Sequence, residues 1–218
     1  MIGRNHVMKG QEKGLIETVI AEYLFNNNFL DTSGNGYDAN PASGVFVNDR
    51  DGNPLSAFDL NTRQTVDVPG PISLLNADSF KFSGWFYNTS TQLGIIWFVN
   101  NSSGGYIQAS INSGLGGQFG LRVRIDASND HRLVVDGLSA SLNTWHFLEV
   151  YFDNSQLATT DKFIVKLDTI QDTGISVTSA IGDVSAGIGS VDNLKFSNSV
   201  GGTDFLGVID DFRFYNVE

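Results

Sequence analysis

Two oxygen-rich stretches, far apart in the sequence, carry the residues best suited to hold an ion. The first is Asp31-Thr32-Ser33-Gly34-Asn35-Gly36-Tyr37-Asp38, a short loop with two glycines, an asparagine and two aspartates. Glycine lets such a loop adopt positive φ and turn carbonyls inward, and hard cations such as Ca2+ take oxygen ligands of this kind. The second is Gly207-Val208-Ile209-Asp210-Asp211-Phe212-Arg213-Phe214-Tyr215-Asn216. As a regular strand it places Asp210 on the side of Phe212 and Phe214, with Asp211, Arg213 and Tyr215 on the other. A carboxylate on an apolar face is costly unless a positive group or hydrogen-bond donors meet it. The expectation is one structural Ca2+ held by Asp31, Asn35 and Asp210, acting in stability and drawing the first and last strands together. The alternative for Asp210 is a carboxylate that caps backbone N–H groups. Asp31 also fits a turn residue bonding the Ser33 and Gly34 amides, a role compatible with holding a metal.

Other residues are suited to binding. Trp85, Tyr87, Arg122, Arg124, Glu149, Tyr151 and Lys166 fall on the non-core side of their strands by alternation. Aromatic planes stack on sugar rings and charged forks bond hydroxyls or carboxylates, so a face bearing these side chains is a candidate ligand surface. Each of them alone also suits an ordinary solvated sheet. Arrangements for catalysis are missing from the sequence. His6, His131 and His146 stand far from one another, no Gly-x-Ser-x-Gly elbow occurs, and the glycine-rich stretches at Gly114-Leu115-Gly116-Gly117 and Gly201-Gly202 do not open helices.

The elements that position these residues are written in alternation of period two. Phe80, Phe82, Gly84 and Phe86 alternate with Lys81, Ser83, Trp85 and Tyr87, and Phe119, Leu121, Val123 and Ile125 flank Arg122 and Arg124. Leu148, Val150 and Phe152 oppose Phe147, Glu149 and Tyr151, and Phe163, Val165 and Leu167 oppose Ile164 and Lys166. With 16 Phe, 6 Tyr, 3 Trp and 24 Gly in 218 residues, the composition favours short strands joined by turns. The fold class expected is all-β, a two-sheet antiparallel sandwich with helix confined to a turn or two. Residues 1–14 are polar and aperiodic and are expected to form an N-terminal arm, with one domain over 15–218.

A net charge of -11 repels nucleic-acid phosphate and anionic membranes, so neither is an expected partner. The lack of Cys excludes disulfides and thiolate chemistry. No apolar run approaches the ~20 residues of a membrane span, and the first residues lack the apolar core of a signal peptide.

Taken in order, Tyr23-x-Phe25-Asn26, Asp31-x-Ser33-Gly34-Asn35-Gly36, Ser56-Ala57-Phe58-Asp59, Phe80-x-Phe82-Ser83-Gly84-Trp85, Trp145-His146 and Gly207-x-Ile209-Asp210-Asp211-Phe212-Arg213-Phe214-Tyr215-Asn216 resemble the laminin-G-like, concanavalin A-like lectin and glucanase jelly rolls. The resemblance runs from about Ile20 to Asn216. It implies two curved sheets packed face to face, a concave surface on one of them, and a structural calcium tying the N-terminal loop to the last strand. One departure is Lys166-Leu167-Asp168-Thr169, which lacks the glycine of the family's hairpin. The glucanase branch carries its acids in a Glu-x-Asp-x-Glu-like strand. Here Glu149-Val150-Tyr151-Phe152-Asp153 puts Tyr151 at the central position, and its end residues have Cα atoms ~13 Å apart on a regular strand. Two carboxyls that work as a retaining pair stand ~5 to 5.5 Å apart. No enzyme is therefore expected. The resemblance implies a non-catalytic lectin-like module that binds glycan or protein and is displayed on a larger assembly. The alternative is a structural virion protein of a bacteriophage, a head decoration, tail or fibre component, docked on other virion proteins through residues 1–14. In either setting the chain carries no signal peptide and acts outside the cell or on a virion surface after release.

Overall fold

Among the described residues, the period-two alternation of the sequence becomes sixteen strands in two antiparallel sheets. The computed structural model describes residues 16–41, 44–61, 65–68, 72–112, 117–197 and 204–218; the expected arm at 1–14 lies outside the described residues. The first sheet runs in the order β13 (Ile170–Gln171), β12 (Phe163–Leu167), β11 (Trp145–Asp153), β6 (Ser79–Asn88), β16 (Gly207–Val217), β4 (Ala57–Asp59) and β3 (Val45–Val47), with β1 (Glu17–Tyr23) also paired to β16. The second runs β14 (Gly174–Ile181), β10 (Asn129–Asp136), β9 (Gln118–Asp126), β8 (Tyr106–Asn112), β7 (Leu93–Asn100), β15 (Asn193–Phe196), β5 (Val66–Val68) and β2 (Asn40–Pro41). Helix among the described residues is one 3-10 turn at Thr159–Lys162.

The inner faces meet in an aromatic core. Phe80, Phe82, Phe212 and Phe214 of the first sheet pack against Trp97 and Phe196 of the second, and none of these side chains is exposed. Burying a side chain of this size is worth about 1.5–3 kcal/mol relative to leaving it exposed. The outward residues of β6, β9 and β11 are those the alternation predicts.

Strand β16 departs from the expected alternation at its centre. Its first part pairs with β4 through Val208 and Ile209, and its second part pairs with β1 from Phe212 to Val217. Where the neighbour changes, Asp211 takes φ 51°. Against β6, Asp210 stands opposite Trp85 and Arg213 opposite Ser83, so Asp211 and Phe212 share the place across from Gly84. This β-bulge reverses the phase of the strand. Ile209 points into the core, Asp210 points outward with Trp85, and Phe212 and Phe214 point inward again. The expectation that Asp210 shares a face with Phe212 and Phe214 is thus corrected. The first and last strands do meet, and they meet by direct pairing of β1 with β16.

Candidate functional site

The outer face of the first sheet is built mainly by alternate residues of β6, β11 and β16. Trp145 stands opposite Tyr87, Phe147 opposite Trp85, Glu149 opposite Ser83 and Tyr151 opposite Lys81. Ring centres are 5.6 Å apart in the Trp145/Tyr87 pair and 5.1 Å apart in the Phe147/Trp85 pair. All four rings are partly exposed. They form an aromatic strip at one end of the strand pair.

The other end is ionic. Lys81 Nζ lies 2.8 Å from Glu17 Oε2 and 3.0 Å from Glu149 Oε1, between the rings of Tyr151 and Tyr215. Burial lowers the ammonium's affinity for its proton, but the hydrogen bonds that it donates to Glu17 and Glu149 outweigh it and hold the Lys81 pKa above its ordinary value. Arg213 Nε donates to Glu22 Oε1 at 2.5 Å. Burial pushes the Glu22 carboxyl up, and the Thr32 hydroxyl and Arg213 pull it below its usual range. Lys166 stands across from Glu149, with its ammonium 5.6 Å from the Tyr151 ring centre.

Between the two ends, the gap that β4 and β1 leave along β16 is filled from a turn. The Asp49 carboxylate accepts the N–H groups of Asp51 and Asn53 and the Asn53 side-chain amide, each at 2.8 Å, and Gly52 supplies φ 83°. This turn holds out Arg50. The guanidinium bonds Asp210 through Nη1 and Asp211 through Nη2, and lies 4.7 Å from the centre of the Trp85 ring. Burial, and then the neighbouring Asp211 carboxylate, push the Asp210 carboxyl up to about 7 against the pull of Arg50.

Asp31 and Asn35, expected with Asp210 around a calcium ion, are engaged elsewhere. Asp31 Oδ1 accepts the Glu22 and Ser33 N–H groups, both at 2.9 Å, while Oδ2 accepts the Ser33 hydroxyl at 2.8 Å and the Tyr37 N–H at 3.0 Å. Asn35 Nδ2 donates to the Ile20 carbonyl at 2.9 Å. Burial raises the Asp31 carboxyl, and this set of donors more than offsets it, so the group sits below its ordinary value. Four N–H or O–H donors occupy the Asp31 carboxylate and a guanidinium occupies Asp210, a pattern that does not fit a cation held by these three residues. Among the described residues, no group of three or more His, Cys, Asp or Glu side chains is placed to hold a metal ion. The loop acts as a clasp on β1.

Five of the seven residues predicted for a single ligand face come together on the first sheet: Trp85, Tyr87, Glu149, Tyr151 and Lys166. Arg122 and Arg124 do not join them, because β9 belongs to the second sheet and turns them outward on the opposite side of the sandwich. The single face is therefore corrected to two. Trp145 and Phe147 were legible as members of the first face from the run Trp145-x-Phe147-x-Glu149-x-Tyr151. Arg50 carries no such signal, since a turn brings it to the sheet.

His146 is buried, with Nδ1 2.7 Å from Asp168 Oδ2 and Nε2 3.1 Å from the Ser141 hydroxyl. The second Asp168 oxygen accepts the Phe147 N–H at 2.8 Å. The two bonds from Asp168 fix the β12–β13 turn against β11, next to the aromatic strip.

No family profile and no curated protein matches this sequence. Solved structures do. Domain 4 of the extracellular arabinanase AbnA from Geobacillus stearothermophilus, solved in complex with arabinotriose, superposes with a TM-score of 0.68 at 16% identity, over 92% of this chain and 93% of that one. The receptor-binding domain of botulinum neurotoxin mosaic serotype C/D gives 0.63 at 15% identity, over 91% of this chain and 47% of the toxin chain. The binding domain of Paraclostridial Mosquitocidal Protein 1 gives 0.63 at 12% identity, over 92% and 48%. This chain spans about half the length of the two toxin fragments. Its fold is the lectin-like, concanavalin A-like jelly-roll sandwich.

Proposed function

We propose that this chain is a non-catalytic carbohydrate-binding module whose ligand lies along the outer face of the first sheet. Four aromatic rings carry the proposal: Trp145 with Tyr87 and Phe147 with Trp85, partly exposed and in register across two strands. Such rings stack on the apolar faces of sugars, while the Tyr and Trp polar atoms and the adjoining charged groups bond hydroxyls. Lys81, Arg213 and Arg50 each already hold a carboxylate. A face on which these three cations are internally neutralised favours a neutral sugar over an acidic one. Similarity to a domain solved with arabinotriose supports a glycan ligand at the level of fold. Glu149 is tied to Lys81, and Asp153 accepts the Ser155 N–H and the Gln156 amide, which supports binding without turnover.

Tryptophan fluorescence tests this directly, because Trp85 and Trp145 lie on the face while Trp97 is fully buried. Titration with neutral oligosaccharides, arabinotriose among them, is expected to shift the emission. Trp145→Ala and Trp85→Ala should each weaken binding about tenfold, equivalent to roughly 1.4 kcal/mol. A neutral panel that leaves the emission unchanged, or binding untouched by both substitutions, would refute the assignment. Release of reducing sugar abolished by Glu149→Gln would refute its non-catalytic part.

A further inference from the structure

The outer face of the second sheet concentrates positive charge in a strongly acidic chain. Arg122 and Arg132 stand directly opposite each other on β9 and β10, and Arg124 stands between Tyr106 and Asp130 on the neighbouring strands. Like charges directly across a strand pair destabilise it. Asp130 relieves part of this: it accepts Arg122 Nε at 2.7 Å and Arg122 Nη2 on its other oxygen, and lies 3.9 Å from Arg132 Nη2. The Arg122 fork holds the Asp130 carboxyl below its usual value, which favours the anion. Asp130 thus meets all three guanidiniums, and the exposed Asp126 carboxylate, which also acts on Arg124, is a second acid beside them.

The ring and carbonyl contacts orient these groups. Arg122 and Arg124 lie 5.1 and 5.8 Å from the centre of the Tyr106 ring, which itself packs on Phe98 at 5.0 Å. Arg124 Nε donates to the Asp126 carbonyl at 3.2 Å, a neutral acceptor, and the Arg132 side chain is 58% exposed. A guanidinium whose plane is held by stacking loses less freedom when it takes a bidentate anion. In a chain of net charge -11, three arginines beside two carboxylates leave a local positive excess that is out of keeping with the rest of the chain.

We infer that the outer face of the second sheet is a second binding site, for an acidic saccharide whose carboxylate or sulfate is taken by Arg124 and Arg132 beside the fixed Arg122–Asp130 pair. Gln108 lies beside Arg122 in the same row, and the Phe98/Tyr106 pair adjoins it, so amide and aromatic contacts for the sugar ring accompany the charged fork. The site is independent of the neutral-sugar face. It also gives the two faces ligands of opposite preference.

The test is NMR of the full chain, following arginine Nε–H signals during titration with inorganic sulfate, a galacturonate trisaccharide, a sulfated disaccharide, a neutral trisaccharide and an aspartate-rich peptide. The Arg124 and Arg132 signals should move with at least one acidic saccharide and stay fixed with the neutral one. A response to the sulfated sugar alone assigns the sulfate as the bound group, and a response to the galacturonate alone assigns the carboxylate. Affinity should fall about tenfold or more in Arg124→Gln/Arg132→Gln, and in the more exposed Arg132→Gln alone by a smaller factor. Trp145→Ala should retain acidic-sugar binding, which separates failure here from failure of the neutral-sugar assignment. Silence of both arginines toward every acidic sugar, undiminished affinity in the folded variants, or peptide binding as tight as sugar binding would each overturn the proposal. Shifts with inorganic sulfate only would mean an adventitious anion and overturn it as well.

Discussion

The ring of Phe212 occupies the space that a side chain on Gly84 would need: a Cβ placed on Gly84 falls 2.2 Å from Phe212 Cδ1. Glycine at this position lets the bulge in β16 send Phe212 back into the core across the β6 backbone. Gly84→Ala is therefore expected to destabilise the chain by about 1–3 kcal/mol through overpacking. Urea denaturation measures this, and an unchanged midpoint would mean that the ring moves aside without strain.

A pH dependence follows from Asp210. Its carboxyl is pushed up to about 7 in the folded chain, against roughly 3.9 for an unfolded aspartate. The folded state thus binds the proton more tightly. Stability from this group is full below about pH 4 and is lost as pH rises to about 7. Asp31, Glu22 and Asp130 act in the opposite sense, since their lowered values give stability above the ordinary carboxylate range that is lost on acidification. Asp210→Asn should remove the loss toward neutral pH, because Arg50 keeps Asp211 as its partner. Melting curves of wild type and variant between pH 4 and 8 are expected to converge at one end and diverge at the other; parallel curves would contradict the assignment.

Removal of divalent cations should leave the melting temperature unchanged. A ligand that binds only the folded state raises stability with its concentration, and the Asp31 and Asp210 carboxylates are already filled by donors and a guanidinium. A drop of several degrees in excess chelator would show a bound ion that this arrangement does not explain.

The β12–β13 hairpin turns through Asp168 at φ 50° and Thr169 at φ 75°, between the paired Leu167 and Ile170. Two-residue turns of this hand prefer Asn-Gly, and a β-branched residue at positive φ is strained. Thr169→Gly is expected to stabilise by about 0.5–1 kcal/mol, net of the entropy glycine adds to the unfolded chain. Asp168→Ala should destabilise, by about 1–3 kcal/mol, because it frees the Phe147 N–H and His146 together. Thermal melts of the two variants moving in the same direction would contradict the role given to the turn.

These residues also show what was legible before folding. The facing of Trp85, Tyr87, Glu149 and Tyr151 follows from a period of two, a local property that β6 and β11 preserve. Arg122 and Arg124 were equally legible as outward residues, but alternation does not say which sheet a strand joins. Asp210 was misplaced because its bulge rests on a non-glycine residue, Asp211, at positive φ, and because its partner, Arg50, comes from a turn 160 residues away in sequence. The missing glycine at Asp168-Thr169 did signal an unusual hairpin. What replaces it is a carboxylate anchored on β11.

Strand β16 lies in the interior of its sheet, between β6 on one side and β4 and β1 on the other, yet it follows all three of them in the sequence. Without it, β6, β4 and β1 have open edges and the inner face of the sheet lacks Phe212 and Phe214. Closure of this sheet thus waits on contacts between segments as far apart in sequence as Glu17 and Val217, which slows folding and leaves open edges exposed to mispairing. Removal of β16 would take out the centre of the sheet rather than trim its margin.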